Sequence, residues 1–271
     1  MKPIRSLNLS KLPHSVRIVG RPVMILIAII ILFFGLVLNY SINPIDRKNV
    51  NVLVDIPTGS SFLQVTEILN RAGLIKSRIF FYSLTIIKNA RRHIRAGEYE
   101  FNTSLTPSAM IDKLLRGEIK VHKVIIREDL SMREIASLLE EEKLINKEKF
   151  FELAYDKDFL ESLNIKASSI EGYLFPDTYF LDRSMSTHQI VKIMVNEFWK
   201  KMSPEMIKKA GEMNLDIHRV VTMASMIGKE TGYDGEKPII SAVFYNRIKK
   251  GMRLQSDPTA VYDMENFSGK I

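Results

Sequence analysis

Between residues 22 and 38 the chain carries no charged side chain, and beyond that run its apolar positions recur in short periodic stretches separated by polar turns. The first run, with Asn39 and Tyr40 behind it, is about 17–19 residues long and gives roughly 26–28 Å of helix, enough to cross a bilayer core. A cleaved signal peptide is the competing reading. Its apolar region would be shorter, about 7–15 residues, and would end in small residues; VLNYSINP supplies no such site. The run therefore reads as an uncleaved anchor, followed at 41–50 by a polar stalk containing Pro44.

The pattern then predicts a strand at 52–56, a turn at Pro57-Thr58-Gly59, and a helix over 62–72 capped by Ser60 or Ser61 and stopped by Gly73. A second helix is expected at 80–88. The alternation of GEYEF at 97–101 predicts a strand, 108–115 a third helix closed by Gly117, and 121–126 another strand. Ser131 followed by Glu134 has the spacing of a capping box for a helix over 132–141. Strands alternating with helices in this way imply one or two small α+β modules. Nothing between 50 and 150 reads as an active site, and binding is the expected role of that half.

The character changes at 169–179, SIEGYLFPDTY. Three aromatics, two acids, a Gly and a Pro in eleven residues fit either a loop that closes a core or one wall of a sugar-binding groove. Residues 187–202 predict an amphipathic helix whose stripe carries the only tryptophan, Trp199, as a core residue. Residues 220–231, VVTMASMIGKET, predict a helix capped by Asp216. Its packing face is read as Val220, Ala224 and Ile227, at i, i+4 and i+7. Glu230 stands three residues past Ile227, at the edge of that face. Partial desolvation there would favour the neutral carboxyl that a proton donor requires. A solvated surface charge is the plainer reading of such a residue taken alone. Pro238 opens the next helix at a position proline tolerates. It carries Asn246 and Arg247 and stops at Gly251, before the polar loop MRLQSDPT with Gln255, Asp257 and Thr259.

Composition narrows the chemistry. The chain has 271 residues, 46% of them hydrophobic, and no cysteine. Disulfides, thiolate metal sites and a cysteine nucleophile are excluded. Five scattered histidines form no HExxH-type spacing, and no metal or cofactor is expected. The net charge is +8, of which Lys2, Arg5, Lys11, Arg17 and Arg21 supply +5 ahead of the apolar run, leaving +3 for the rest. No basic stripe with interleaved aromatics is present, so nucleic acid is not an expected partner. The basic flank places the N-terminus in the cytoplasm and everything after residue 40 outside.

VVTMASMIGKET, then FYNRIKKGMRLQSDPTAVY, with EGYLFPDTY upstream, resembles the endolytic murein transglycosylases of the YceG-like family. The resemblance covers nearly the whole chain after residue 50. It implies an α+β chain: a basic cytoplasmic tail at 1–21, a single transmembrane helix at 22–40 and a stalk at 41–50. A small LysM-like peptidoglycan-binding module follows at 51–125, and a mixed α+β catalytic domain at 126–271. It implies a single-pass protein of the bacterial inner (plasma) membrane, with peptidoglycan glycan strands as ligand and peptidoglycan synthases as neighbours. The catalytic acid of the family's E-K-E-T box carries over to Glu230. Substrate-contact or support roles carry over to Glu171, Asp177, Thr178, Asn246, Arg247, Gln255, Asp257 and Thr259. One acid suffices for a lytic transglycosylase, because the C6 hydroxyl of N-acetylmuramic acid replaces the water that hydrolysing glycosidases activate with a second carboxylate. Three departures from the family pattern stand out. Gly228 occupies the position of the first Glu of the box. Arg127-Glu128-Asp129 replaces Pro-Glu-Gly, a change expected to alter only a turn. The chain stops at Ile271, which implies a catalytic domain incomplete at its C-terminus. A non-catalytic, membrane-tethered wall-binding protein or a scaffold of wall elongation is the alternative reading.

Overall fold

The computed structural model describes residues 14–90 and 94–260, which divide into two units between residues 120 and 121.

The first unit opens with helix α1 (His14–Ile42), whose segment Pro22–Ile42 has a mean hydropathy of 2.8 and is almost unburied by the protein. After it come β1 (Asn51–Ile56), α2 (Phe62–Arg71), α3 (Arg78–Ile87), β2 (Gly97–Asn102) and α4 (Pro107–Arg116). β1 and β2 pair antiparallel, with Asn51 opposite Asn102 and Ile56 opposite Gly97. The cap of α2 is Ser61, which accepts the Gln64 N–H while Gln64 reaches back to the Ser61 N–H. Val54, Ile56, Leu69, Phe81, Tyr99, Phe101, Met110 and Leu114 form the core. Alternation along β1 and β2, and 3.6-residue periodicity along α2 and α4, turn these side chains to one interior.

The second unit runs β3 (His122–Ile125), α5 (Met132–Glu141), α6 (Lys147–Ala154), α7 (Lys157–Ser162), β4 (Thr178–Leu181), α8 (Thr187–Lys201), α9 (Pro204–Glu212), α10 (Ile217–Glu230), α11 (Lys237–Lys249) and α12 (Asp257–Ala260). The sequence pattern places β3 at the end of the first module; in the fold it pairs antiparallel with β4, Ile125 opposite Thr178. The capping box of α5 is present, with Ser131 and Glu134 in reciprocal hydrogen bonds. Helices α6, α7 and α9 are not marked by the apolar pattern, being short and dense in charge. The loop 169–179 divides between the two readings offered for it. Ile170, Tyr173, Leu174 and Tyr179 are buried in the core, whereas Asp177 is exposed. Trp199 is a core residue as expected, packed at the core's edge with its Nε1–H donating to the Leu163 carbonyl at 2.8 Å.

Candidate active site

Helix α10 begins at Asp216, whose carboxylate accepts the Arg219 N–H at 2.8 Å, and ends at Glu230. Two close approaches seat it. Gly172 has φ +81°, and a Cβ on it would meet Val221 Cγ1 at 2.4 Å and Ser225 Oγ at 3.8 Å. Glycine is required there twice over, for the left-handed backbone and for the space. Further along the same face, a Cβ on Gly228 would meet Asp129 Oδ1 at 2.0 Å. The turn at 127–129 thus does more than redirect the chain: it contacts α10.

Val221, Ser225 and Gly228 stand at i, i+4 and i+7, so the seated face lies one residue round from the expected one. Val221 is buried, Val220 and Ile227 are half-buried, and Ala224 is exposed. The shift of face moves Glu230 to the far side of the helix. It is exposed, and the expected desolvation by apolar packing is not found.

On that far side the carboxylate meets the chain segment that follows α11. Ser256 Oγ donates to Glu230 Oε1 at 2.5 Å, and Ser256 itself is buried. The Ser256 carbonyl accepts from the Thr259 N–H at 3.1 Å and from Thr259 Oγ1 at 2.7 Å. Arg247 donates to the Leu254 carbonyl, and the Met252 N–H donates to the Arg247 carbonyl at 2.9 Å. These bonds fold residues 252–256 back from α11. At the end of α10, the Thr231 hydroxyl donates to Glu236 Oε2 at 2.7 Å, which ties the helix to the turn that opens α11.

Of the residues singled out in the sequence, Glu230 and Thr259 bond Ser256, and Arg247 holds the segment two residues before it. Gln255 and Asp257 flank Ser256 and are exposed, and Asn246 is exposed beside Arg247. The other three lie elsewhere. The Glu171 carboxylate accepts the Met132 N–H at 3.0 and 3.2 Å, at the first turn of α5, where an anion suits the helix dipole. Asp177 and Thr178 are exposed where β4 starts, the Thr178 N–H donating to Asp177 Oδ1 at 2.7 Å. Next to them Tyr179 is fixed, its hydroxyl donating to the Phe175 carbonyl at 2.6 Å. Burial pushes its phenol well above the ordinary range, with Asp177 and Glu197 adding to the shift. A separate open cleft of about 870 Å³, lined by residues that include Arg127, Arg133, Lys147, Phe151 and Tyr155, holds none of the predicted site residues.

Ser256 is the site residue that sequence reasoning missed. Its only signal was its place between Gln255 and Asp257 in a loop already marked as polar. A hydroxyl donates to a carboxylate and accepts from a carboxylic acid. The Ser256–Glu230 bond can therefore persist in either protonation state, and a carboxyl group held this way can give and take a proton without turning.

A family model described as the YceG-like family matches residues 54–271. The endolytic murein transglycosylase of Bacillus subtilis is 31% identical over 242 residues, covering 82% of this chain and 66% of that protein. The endolytic murein transglycosylase of Streptococcus pneumoniae is 28% identical over 249 residues, covering 82% of this chain and 45% of its own length. The chain thus spans less than two thirds of either relative. A crystal structure of a putative yceG-like protein from Listeria monocytogenes superposes with a TM-score of 0.51 at 26% identity, over 82% of this chain and 78% of that one. The family match begins inside β1 and takes in β2, β3, β4 and the whole Glu230–Ser256 cluster, and the chain belongs to the YceG-like family.

Proposed function

We propose that this protein is a membrane-anchored endolytic lytic transglycosylase that cuts peptidoglycan glycan strands at the β-1,4 bond between N-acetylmuramic acid and N-acetylglucosamine. The observation that carries this reading is Glu230, exposed at a helix end with one oxygen held by the buried Ser256 hydroxyl. It is supported by relatives named endolytic murein transglycosylases.

Glu230 in its acid form gives its proton to the glycosidic oxygen as the bond from the muramic C1 breaks, and N-acetylglucosamine leaves with a free hydroxyl. Glu230, now a carboxylate, takes the proton of the muramic C6 hydroxyl as that oxygen closes on C1. The product end is 1,6-anhydro-N-acetylmuramic acid, and Glu230 is again an acid. No water enters, and the nucleophile belongs to the same sugar, which gives the attack the advantage of proximity. Ser256 keeps Glu230 oriented through both steps. A strand lying over the end of α10 would exclude water from a carboxyl that is exposed in the free protein. In this reading Asn246, Arg247, Gln255, Asp257 and Thr259, at the end of α11 and in the segment after it, line that strand, while Asp177 and Thr178, which lie elsewhere, contact it further along and Glu171 has a supporting role. The part of the first unit after the stalk, residues 51–120, grips glycan in this reading as a LysM-like module, β3 belonging to the second unit. Helix α1 spans the plasma membrane with the N-terminus cytoplasmic, which puts the site near nascent strands and the synthases that extend them.

The test is the full chain in detergent with uncrosslinked glycan strands, the products read by mass spectrometry. Internal fragments with 1,6-anhydro ends, lost in Glu230→Gln, are the expected result. Glycan binding with no cleavage by the folded parent chain would replace this reading with that of a non-catalytic wall-binding protein.

A further inference from the structure

The apolar helix α1 does not stand free of the first unit. Phe33, Val37 and Tyr40 lie at i, i+4 and i+7 and make one face, and that face meets α3. The Phe80 ring on α3 sits 5.8 Å from Phe33 and 5.7 Å from Tyr40, centroid to centroid. Val37 between them is fully buried in the unit's core. Between Val23 and Leu38 the remaining faces of α1 are exposed and apolar, among them Ile30, Leu32, Phe34, Leu36 and Leu38.

This contact fixes a depth. Phe33 is seven residues before Tyr40, roughly 10 Å of helix rise, which is about a third of a 30 Å hydrocarbon core. Phe80, lying between the levels of Phe33 and Tyr40, is therefore below the boundary that Tyr40 and Asn39 mark. If α1 crosses a bilayer, α3 cannot remain in water.

The surface of α3 agrees with that depth. Its sequence, RIFFYSLTII, has one charge, Arg78, at its first residue. Phe81, Leu84 and Thr85 face the unit's core. On the other side Ile79 is 70% exposed, and Ile86 and Ile87 are exposed as well. Ile79 and Ile86 share a face at i and i+7, and this face continues the apolar surface of α1. Water would be in contact with three isoleucines on a ten-residue helix, whereas lipid would take that apolar surface out of water. Arg78, paired with Glu67 at 2.7 Å, stands at the helix end, where a long cationic side chain reaches the headgroup layer.

We propose that α3 is a second membrane contact, lying in the outer leaflet beside α1 with Ile79, Ile86 and Ile87 in the acyl chains. The first unit would then rest on the membrane surface instead of swinging on the stalk. The inference depends on α1 being a membrane span, as the proposed function has it.

The test uses the absence of cysteine from the chain, which makes each introduced cysteine unique. Full-length Ile79→Cys, Ile86→Cys, Leu36→Cys and Leu63→Cys are labelled with an environment-sensitive fluorophore. They are then reconstituted in phosphatidylcholine–phosphatidylglycerol vesicles that carry a nitroxide on the acyl chain. An interfacial helix buries its apolar face about 5–10 Å deep, within reach of that quencher. The expected result is strong loss of emission at positions 36, 79 and 86 and little at position 63, on α2, whose side chain is 64% exposed. Quenching at 36 without quenching at 79 and 86 overturns the proposal and leaves the anchor standing. No quenching at 36 overturns both. Equal quenching at 63, 79 and 86 overturns it as well, since that is indiscriminate adsorption.

Discussion

The carboxylate of Asp129 occupies the space that a side chain on Gly228 would fill, with Oδ1 2.0 Å and Cγ 2.8 Å from the position of that Cβ. Each residue is locally unfavourable. Glycine inside a helix costs about 1 kcal/mol relative to alanine. Asp129 holds φ +62°, a left-handed backbone that aspartate tolerates better than most residues but glycine tolerates best. If the box and the turn correspond as the sequence resemblance implies, these are also two departures from the family's pattern: a carboxylate fewer in the helix and one more in the turn. Their contact makes them a matched pair. Gly228→Glu alone puts two carboxylates in one space and should destabilise the chain by roughly 1–2 kcal/mol. Adding Asp129→Gly should recover most of that. Urea denaturation of both single variants and the double one measures the coupling; additivity within about 0.5 kcal/mol would show that the contact carries no energy.

Ser256→Ala removes the hydroxyl that donates to Glu230 without disturbing the backbone carbonyl that Thr259 uses. On glycan strands kcat should fall about tenfold or more, with KM nearly unchanged, because orientation and not binding is lost. Ser256→Thr, which keeps the hydroxyl, should recover a large part. A rise in KM at constant kcat would assign Ser256 to substrate binding instead.

Glu171 is a support for α5 in the fold. Glu171→Ala leaves the Met132 N–H without its acceptor and should lower stability by about 1 kcal/mol, while Glu171→Gln, still an acceptor, should lower it less. Thermal denaturation separates the two. If Glu171→Ala melts with the parent but loses glycan affinity, the residue belongs to the substrate groove.

Glu134 gives the chain a defined response to acid. Burial opposes its ionisation, but the Ser131 N–H and hydroxyl, with the charges of Lys229 and Arg127, together hold its carboxyl below the ordinary value. A depressed folded-state value means that its contribution is complete above the unfolded value and is lost as pH falls through the folded one. Glu134→Gln preserves the capping box and removes the titration. Urea midpoints followed from neutral pH down to about pH 2.5 should show a shallower acid limb for the variant, and superimposable limbs would contradict the assignment.

Most of the fold was legible because most of its elements are locally specified. Capping at Ser61 and Ser131, the glycines after α2 and α4, and the alternation of GEYEF act within a few residues. What local pattern leaves open is the partner. The run at 121–126 reads as a strand by itself, and nothing in it says that it pairs with residues about 55 positions on rather than with its own module. The face of α10 was misjudged by one residue for the same reason. Apolar spacing offers Val220-Ala224-Ile227, whereas the seated face, Val221-Ser225-Gly228, holds a single apolar side chain, and it is the left-handed Gly172 and the Asp129 turn, both distant in sequence, that select it. Glu230 was recognisable from its motif, whereas its hydrogen-bond partner was not, because a serine in a polar loop carries no periodic signal.

The seating of α10 makes the number of residues between Val221 and Glu230 as consequential as their identities. Each residue turns an α-helix by about 100°, so the helix works as a dial fixed at one end by Gly172. Removing any one residue from that interval would leave every motif nearly readable. It would also swing the carboxylate by about a quarter turn or more, away from Ser256. In this chain the length of one helical segment is itself part of the site.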